Sequence, residues 1–294
     1  MEIKMKNKYG LVLEGGANRG IFTAGVLDYF MDKGIKFPYV NGVSMGACCA
    51  LSLISGQQGR TRRTILHEGN DAYYGAEVLL STGRMINLDM TFDEYPIKQY
   101  PFDFDFYFAS DIEAEYVVTN MNTGKAEYLT EKSDRKKLMR IVKASSSLPI
   151  LTKPIEIDGA LYMDGGVTDP IPVKRAFLKG CKKCIVVLTK PENYVYTQNS
   201  QLSSAASLIY SKNPEFVKAF SDRLRVRQSR LKLLDMLEKA GMVYVIRPTV
   251  TAIERFEKDR SKLMNYYMNG YELAERKYEE IIRFLGDETV IFDE

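Results

Sequence analysis

The sequence predicts an α/β protein, a mainly parallel sheet with helices on both faces, continued by a mostly helical C-terminal extension. Three observations carry that prediction. Strand-length apolar runs at Tyr9–Glu14 and Tyr39–Val43 each lead through a turn containing glycine into a helix-length segment. Ile185-Val186-Val187-Leu188-Thr189 is a near-continuous β-branched run, the pattern of a strand covered on both faces. Beyond Pro191 the texture changes to long charged segments of helical character.

In chain order, the first strand ends at Gly15-Gly16, and from Gly20 to Met31 the residues Ile21, Val26, Leu27 and Phe30 recur at helical spacing. After the second strand, Met45 to Ile54 is small and apolar enough for a buried helix. Gln57 to Arg63 is polar and basic. The stretch to about Gln99 mixes short helical and irregular signals, and its aromatics (Tyr73, Tyr74, Phe92, Tyr95, Tyr100) suit either a cleft lining or a sheet-edge cover. Phe104–Ala109, Tyr116–Asn120 and Ala126–Leu129 read as strands, the last two joined at Asn122-Thr123-Gly124. A helix from near Asp134 to Ala144 and a turn from Ser145 to Pro149 follow. Short strands at Ile155–Ile157 and Ala160–Met163 flank a hairpin turn at Asp158-Gly159, and Pro170 and Pro172 introduce a helix to about Leu178. In the tail, helical segments over Ser203–Tyr210, Pro214–Ala240 and Ser261–Phe284 leave one short strand, Met242–Ile246, placed to extend the main sheet. The expected division is a core over 8–190 and an extension over 191–294 packed on it.

Composition narrows the function. With 294 residues, 45% hydrophobic and 27% charged, the chain can bury one large core. A net charge of +3, without a basic stripe interleaved with aromatics, argues against nucleic acid. Cys48, Cys49, Cys181 and Cys184 do not form a secreted disulfide framework. Cys181-Lys182-Lys183-Cys184 precedes a strand and lacks a second ligand pair, so neither a metal nor a redox centre is expected. Met1–Lys8 is not followed by a signal-peptide core, and no apolar run approaches the ~20 residues that span a bilayer, so the expected location is cytoplasmic. Arg223, Arg227 and Arg230 give one helix a basic side, read as a solvated face or as a contact for acidic lipid or an acidic partner.

The chemistry centres on Val40-Asn41-Gly42-Val43-Ser44-Met45-Gly46-Ala47. Glycines two before and two after Ser44 remove the Cβ atoms that would collide across a tight strand-to-helix turn. The turn would expose the hydroxyl and aim the first helical N–H groups at whatever it attacks. An ordinary glycine-rich turn has the same local pattern. A serine nucleophile also needs a base and oxyanion donors. His67, the one histidine, stands between serine and acid in chain order in a polar segment and fits the base poorly; a surface histidine is the simpler reading. A carboxylate suits better, and Asp164, ending an apolar stretch before Gly165-Gly166, leads; a structural Asx turn and the competing Asp158-Gly159 stay open. Glu14-Gly15-Gly16-Ala17-Asn18-Arg19-Gly20 presents consecutive N–H groups between strand and helix, with Gly16 and Ala17 the favoured donors. It lacks the glycine and lysine-serine spacing of nucleotide loops. Arg19 suits steadying the loop through main-chain carbonyls, or holding an anionic head group.

Together and in this order, Gly15-Gly16-Ala17-Asn18-Arg19-Gly20, Gly42-Val43-Ser44-Met45-Gly46 and Asp164-Gly165-Gly166 resemble the motifs of the patatin-like phospholipase family, over roughly Tyr9 to Lys190. The helical tail is similar to that of a bacterial subgroup. The resemblance implies a three-layer α/β/α sandwich with Ser44 as nucleophile, Asp164 as its base and Gly15 to Gly20 as the oxyanion hole. It also implies that Ala144-Ser145-Ser146-Ser147-Leu148-Pro149 packs near the site. The implied reaction is hydrolysis of carboxylic esters of phospholipids or related acyl lipids through an acyl-enzyme on Ser44, without a cofactor. A non-catalytic lipid- or protein-binding scaffold, and a thioesterase or peptidase on the same dyad, are the alternatives. Transient contact with a membrane surface is compatible with such a substrate, though no segment demands it. Two departures stand out. Ala17 replaces a common third glycine, and its methyl is expected either to narrow the loop or to exclude φ > 0; Glu14 replaces a common aspartate or glycine.

Overall fold

The computed structural model describes residues 9–67, 75, 78–80, 85–197 and 200–286; Tyr73, Tyr74 and the first eight residues lie outside these. Eight strands form one sheet: β1 Tyr9–Leu13, β2 Tyr39–Val43, β3 Glu113–Asn120, β4 Ala126–Leu129, β5 Ile155–Ile157, β6 Ala160–Asp164, β7 Lys183–Val187 and β8 Val243–Ile246. Their order is β5-β6-β3-β2-β1-β7-β8, with β4 also paired to β3. Strands β3, β2, β1, β7 and β8 run parallel, and β4, β6 and β5 add an antiparallel end.

The register around β3 sets up the site. Strand β2 pairs Glu113–Val117 and β6 pairs Val118–Asn120, while β4 pairs Tyr116–Thr119. Because β4 overlaps both partners along β3, it must hold the opposite edge, and β2 and β6 share one edge in succession. Val117 faces Val43 and the next residue, Val118, faces Asp164. The end of β2 and the end of β6 therefore meet head-on.

The helices are α1 Ile21–Asp32, α2 Met45–Ile54, α3 Arg60–Ile65, α4 Phe104–Ala109, α5 Arg135–Ser145, α6 Val173–Leu178, α7 Ser200–Ile209, α8 Pro214–Lys239, α9 Arg260–Arg276 and α10 Tyr278–Leu285. Alternation along the strands feeds two cores. Leu11 and Leu13 of β1 pack with α1, α2, α5, α9 and α10 on one face, and Val12 packs with α6 and α8 on the other. That is the expected three-layer sandwich. Strand β8 joins beside β7, as Met242–Ile246 suggested. Helix α9 lies close across α1: a Cβ on Gly25 would stand 2.1 Å from Tyr267 O, and one on Gly270 2.2 Å from Phe22 O. Two bare backbones thus tie the C-terminal region to the first helix.

Three expectations need correction. Phe104–Ala109 is a helix, not a strand. Its alternating aromatics imitate period 2, but Asp103 caps it by accepting from Phe106 N at 2.9 Å, and only Tyr107 is buried. Ser261–Phe284 is two helices, interrupted at Lys277. The arginines of α8 are not a solvated face: Arg227 pairs with Glu14 and Arg230 with Asp169 at 2.7 Å, both acids being fully or nearly fully buried.

Candidate active site

Ser44 links β2 to α2 with φ 55° and ψ −121°, a conformation side chains other than glycine rarely adopt. The flanking glycines permit it: a Cβ on Gly46 would lie 2.4 Å from Leu13 O, and one on Gly42 2.6 Å from Gly46 O. Ser44 N–H donates to Ser145 Oγ at 2.9 Å, and Ser145 Oγ–H donates to Val117 O at 2.7 Å. The turn after α5 thus clamps the elbow onto β3, and Ser147 O accepts from Asp164 N at 2.8 Å. The segment Ala144–Pro149 lies beside the site as the resemblance implied.

Asp164 closes β6, 4% exposed. Its Oδ1 accepts from Gly166 N at 2.7 Å, which is the Asx turn, and leaves Oδ2 outside that turn. Its Oδ2 is buried without a hydrogen-bond partner, and the Ser44 hydroxyl lies close enough to favour the charged carboxylate. Burial pushes the Asp164 carboxyl up to about 6, against the opposing pull of Gly166 N–H, Ser44, Arg255 and Arg227.

The glycine loop faces the same open cleft, which is lined by Gly15, Gly16, Ala17, Ser44 and Asp164 among others. Asn18 N–H is committed to Arg255 O at 3.0 Å and Arg19 N–H to Gly16 O at 3.2 Å. Among the described residues Gly15, Gly16 and Ala17 keep uncommitted N–H groups, the first three of the six residues expected to form an oxyanion hole. Ala17 adopts φ 49°, so its methyl does not exclude the left-handed backbone. Arg19 does rest on a main-chain carbonyl, but that of Ile253, which accepts from Nε at 2.7 Å. Asp158 turns the β5–β6 hairpin and pairs with Lys137. His67 contacts Tyr100 Oη at 2.8 Å and Gln99 at 3.2 Å.

Glu14 lies beneath the loop, fully buried. It accepts from Lys190 Nζ at 2.7 Å, from Arg227, and from Thr189 N and Oγ1. Burial alone would raise its pKa; the two cations outweigh burial and hold it well below the usual carboxylate range. Lys190 and Arg227 lie beyond the sequence motifs and escaped them. The available signal was Glu14 itself, since a carboxylate at the end of a buried strand requires cations. Glu14→Gln leaves Lys190 and Arg227 without their counter-charge and is expected to destabilise the fold by about 3–5 kcal/mol, read from the urea midpoint at neutral pH.

A second cavity begins at Asn18 and Met45, the sequence neighbours of Ala17 and Ser44. Cys48, Leu51, Ile65, Phe92, Tyr95 and Met139 make it largely apolar. Phe92 and Tyr95 thus line a cavity, the first of the two readings given for these aromatics. No helix among the described residues is long and apolar enough to cross a membrane.

A family model described as "Patatin-like phospholipase" matches residues 11–177, more than half of the chain. A second, "Domain of unknown function (DUF6363)", matches residues 213–286. An uncharacterized protein, YjjU of Escherichia coli K12, is 30% identical over 204 residues, covering 65% of this chain and 54% of its own. "Lysophospholipase NTE1" of Meyerozyma guilliermondii is 27% identical over 291 residues, covering 92% of this chain but 19% of its own. The chain therefore spans about half of the first relative and a fifth of the second. VipD from Legionella pneumophila shares the fold with a TM-score of 0.50 at 14% identity, over 98% of this chain and 72% of that one.

Proposed function

The chain belongs to the patatin-like phospholipase family, and from that premise we propose that it is a serine-aspartate acyl hydrolase acting on carboxylic esters of phospholipids or related acyl lipids. The observation carrying this reading is the head-on meeting of β2 and β6 along one edge of β3, which sets a backbone-strained serine on the cleft wall, 8% exposed, beside a buried carboxylate oxygen that has no hydrogen-bond partner. The relatives named as lysophospholipases point to the same substrate class.

The ester carbonyl enters with its oxygen towards the Gly16 and Ala17 N–H groups. Ser44 Oγ attacks the carbonyl carbon while its proton passes to Asp164 Oδ2, since Oδ1 is engaged by Gly166. The tetrahedral intermediate expels the alcohol, which takes that proton from Asp164 as the C–O bond breaks. Water, deprotonated by the same carboxylate, then attacks the acyl-enzyme and releases the acid, and Ser44 recovers its proton. Residues 8–190 supply these groups, and the extension over 191–294 supplies Arg227 and Arg255 at the cleft wall.

A fluorophosphonate probe is expected to label the protein at Ser44, located by peptide mass spectrometry, and Asp164→Asn to slow that labelling at least a hundredfold. Labelling elsewhere, with Ser44 untouched, overturns the mechanism. The apolar cavity beginning at Met45 is read as the acyl-chain slot. Leu51→Trp would fill it and is expected to lower the ratio of kcat/KM for decanoate over butyrate p-nitrophenyl esters about tenfold; an unchanged ratio places the chain elsewhere.

A further inference from the structure

The cleft above Ser44 is unbalanced in charge. Arg19, Lys190, Arg223, Arg227 and Arg255 all line it, against one acid, Asp164. Three of these cations are occupied. Lys190 and Arg227 share Glu14, and Arg19 Nε holds Ile253 O while its guanidinium lies over the Tyr194 ring, 5.2 Å from its centre. Arg223 and Arg255 are different. Arg223 reaches the neutral acceptors Phe220 O and Ser203 Oγ and lies over the Phe220 ring, 3.9 Å from its centre, and neither arginine forms an ion pair among the described residues. They repel one another, and the acid that Arg255 senses is Asp164 itself. Two guanidinium groups that line one cleft, neither of them ion-paired among the described residues, are arranged to receive an anion from outside.

The structure assigns Arg223 and Arg255 as the binding site for the phosphate of an anionic glycerophospholipid whose acyl ester lies at Ser44. This rests on the hydrolase reading above and adds the head-group class to it. Both cations come from the C-terminal region, Arg223 from α8 and Arg255 from the segment between β8 and α9. Arg255 is coupled to the reaction centre through its own backbone, because Arg255 O accepts from Asn18 N in the oxyanion loop. Even with Glu14 counted beside Asp164, five cations outnumber two acids, so the wall favours a head group of net negative charge over one that adds a quaternary ammonium.

The test uses the full chain carrying Ser44→Ala, so that binding is read without turnover. Calorimetric titration with monomeric dihexanoyl phosphatidylglycerol, dihexanoyl phosphatidylcholine and dihexanoyl glycerol gives three affinities. The anionic lipid is expected to bind best, and Arg223→Gln and Arg255→Gln each to lower the ratio of anionic to neutral affinity about tenfold. Arg223→Lys and Arg255→Lys should restore part of that ratio, which a purely structural role would not. Unchanged ratios in both glutamine variants, or equal affinity for all three lipids, overturn the assignment. Inorganic phosphate binding as tightly as the anionic lipid also overturns it, in favour of a free-phosphate site. Because the readout is binding, the assignment fails or stands separately from the dyad, which the fluorophosphonate label decides.

Discussion

Ser44→Ala is expected to lower the hydrolysis of p-nitrophenyl butyrate and of a lysophospholipid by at least ~10³-fold, while the fold survives. The loss is large because in the proposed mechanism the hydroxyl forms the acyl-enzyme, and the N–H donors of the loop alone would recover only a residue of the rate. The fold survives because nothing structural hangs on Oγ. The elbow is held through its backbone: Ser44 N donates to Ser145 Oγ, and Ser44 O accepts from Ala47 N at 2.9 Å and Cys48 N at 3.2 Å. Alanine bears the same cost of positive φ as serine, so a thermal midpoint within about 2 °C of the parent is expected. Ser145→Ala gives the contrasting case, removing the clamp and leaving the hydroxyl. Turnover surviving in purified Ser44→Ala protein removes Ser44 from the mechanism.

What the sequence made legible was local. Glycines two before and two after Ser44 announce the elbow because the constraint lies within five residues, where Gly42 and Gly46 touch each other's backbone and Leu13. Asp164 and the loop after β1 are marked in the same way, by turn chemistry at strand ends. The meeting of these turns was not legible, because it depends on β6 continuing the edge that β2 leaves, a property of the sheet's pairing. The wrong element, Phe104–Ala109, has Phe104, Phe106 and Phe108 at every second position, and that period 2 overrode the cap at Asp103. The basic side of α8 was misread for a related reason. Its partners Glu14 and Asp169 lie 213 and 61 residues away, and only the packed structure places a buried carboxylate against Arg227 and Arg230.

Asp164→Asn is expected to act in opposite directions on activity and stability, both governed by one titration. In the proposed mechanism deprotonated Asp164 is the base, so kcat/KM of the parent should fall tenfold per pH unit below about 6 and level off above it. Above pH 6 the asparagine variant should be slower by at least ~10³-fold, since its amide accepts no proton, and the gap should narrow as the parent loses its base below pH 6. Stability follows from the same group. Its folded pKa, about 6, lies above the ordinary value of 3.8, so the folded state favours the proton. The contribution is complete below pH 4 and is lost as the pH rises through 6, and two pH units amount to about 3 kcal/mol. Asparagine is neutral throughout and can still accept from Gly166 N. The variant should therefore match the parent near pH 3.8 and exceed it by about 3 kcal/mol at pH 8, as read from urea unfolding across that range. A stability difference that stays flat between pH 4 and 8 would show that Asp164 is not the buried titrating carboxylate, and the acid limb of the rate profile would then need another owner.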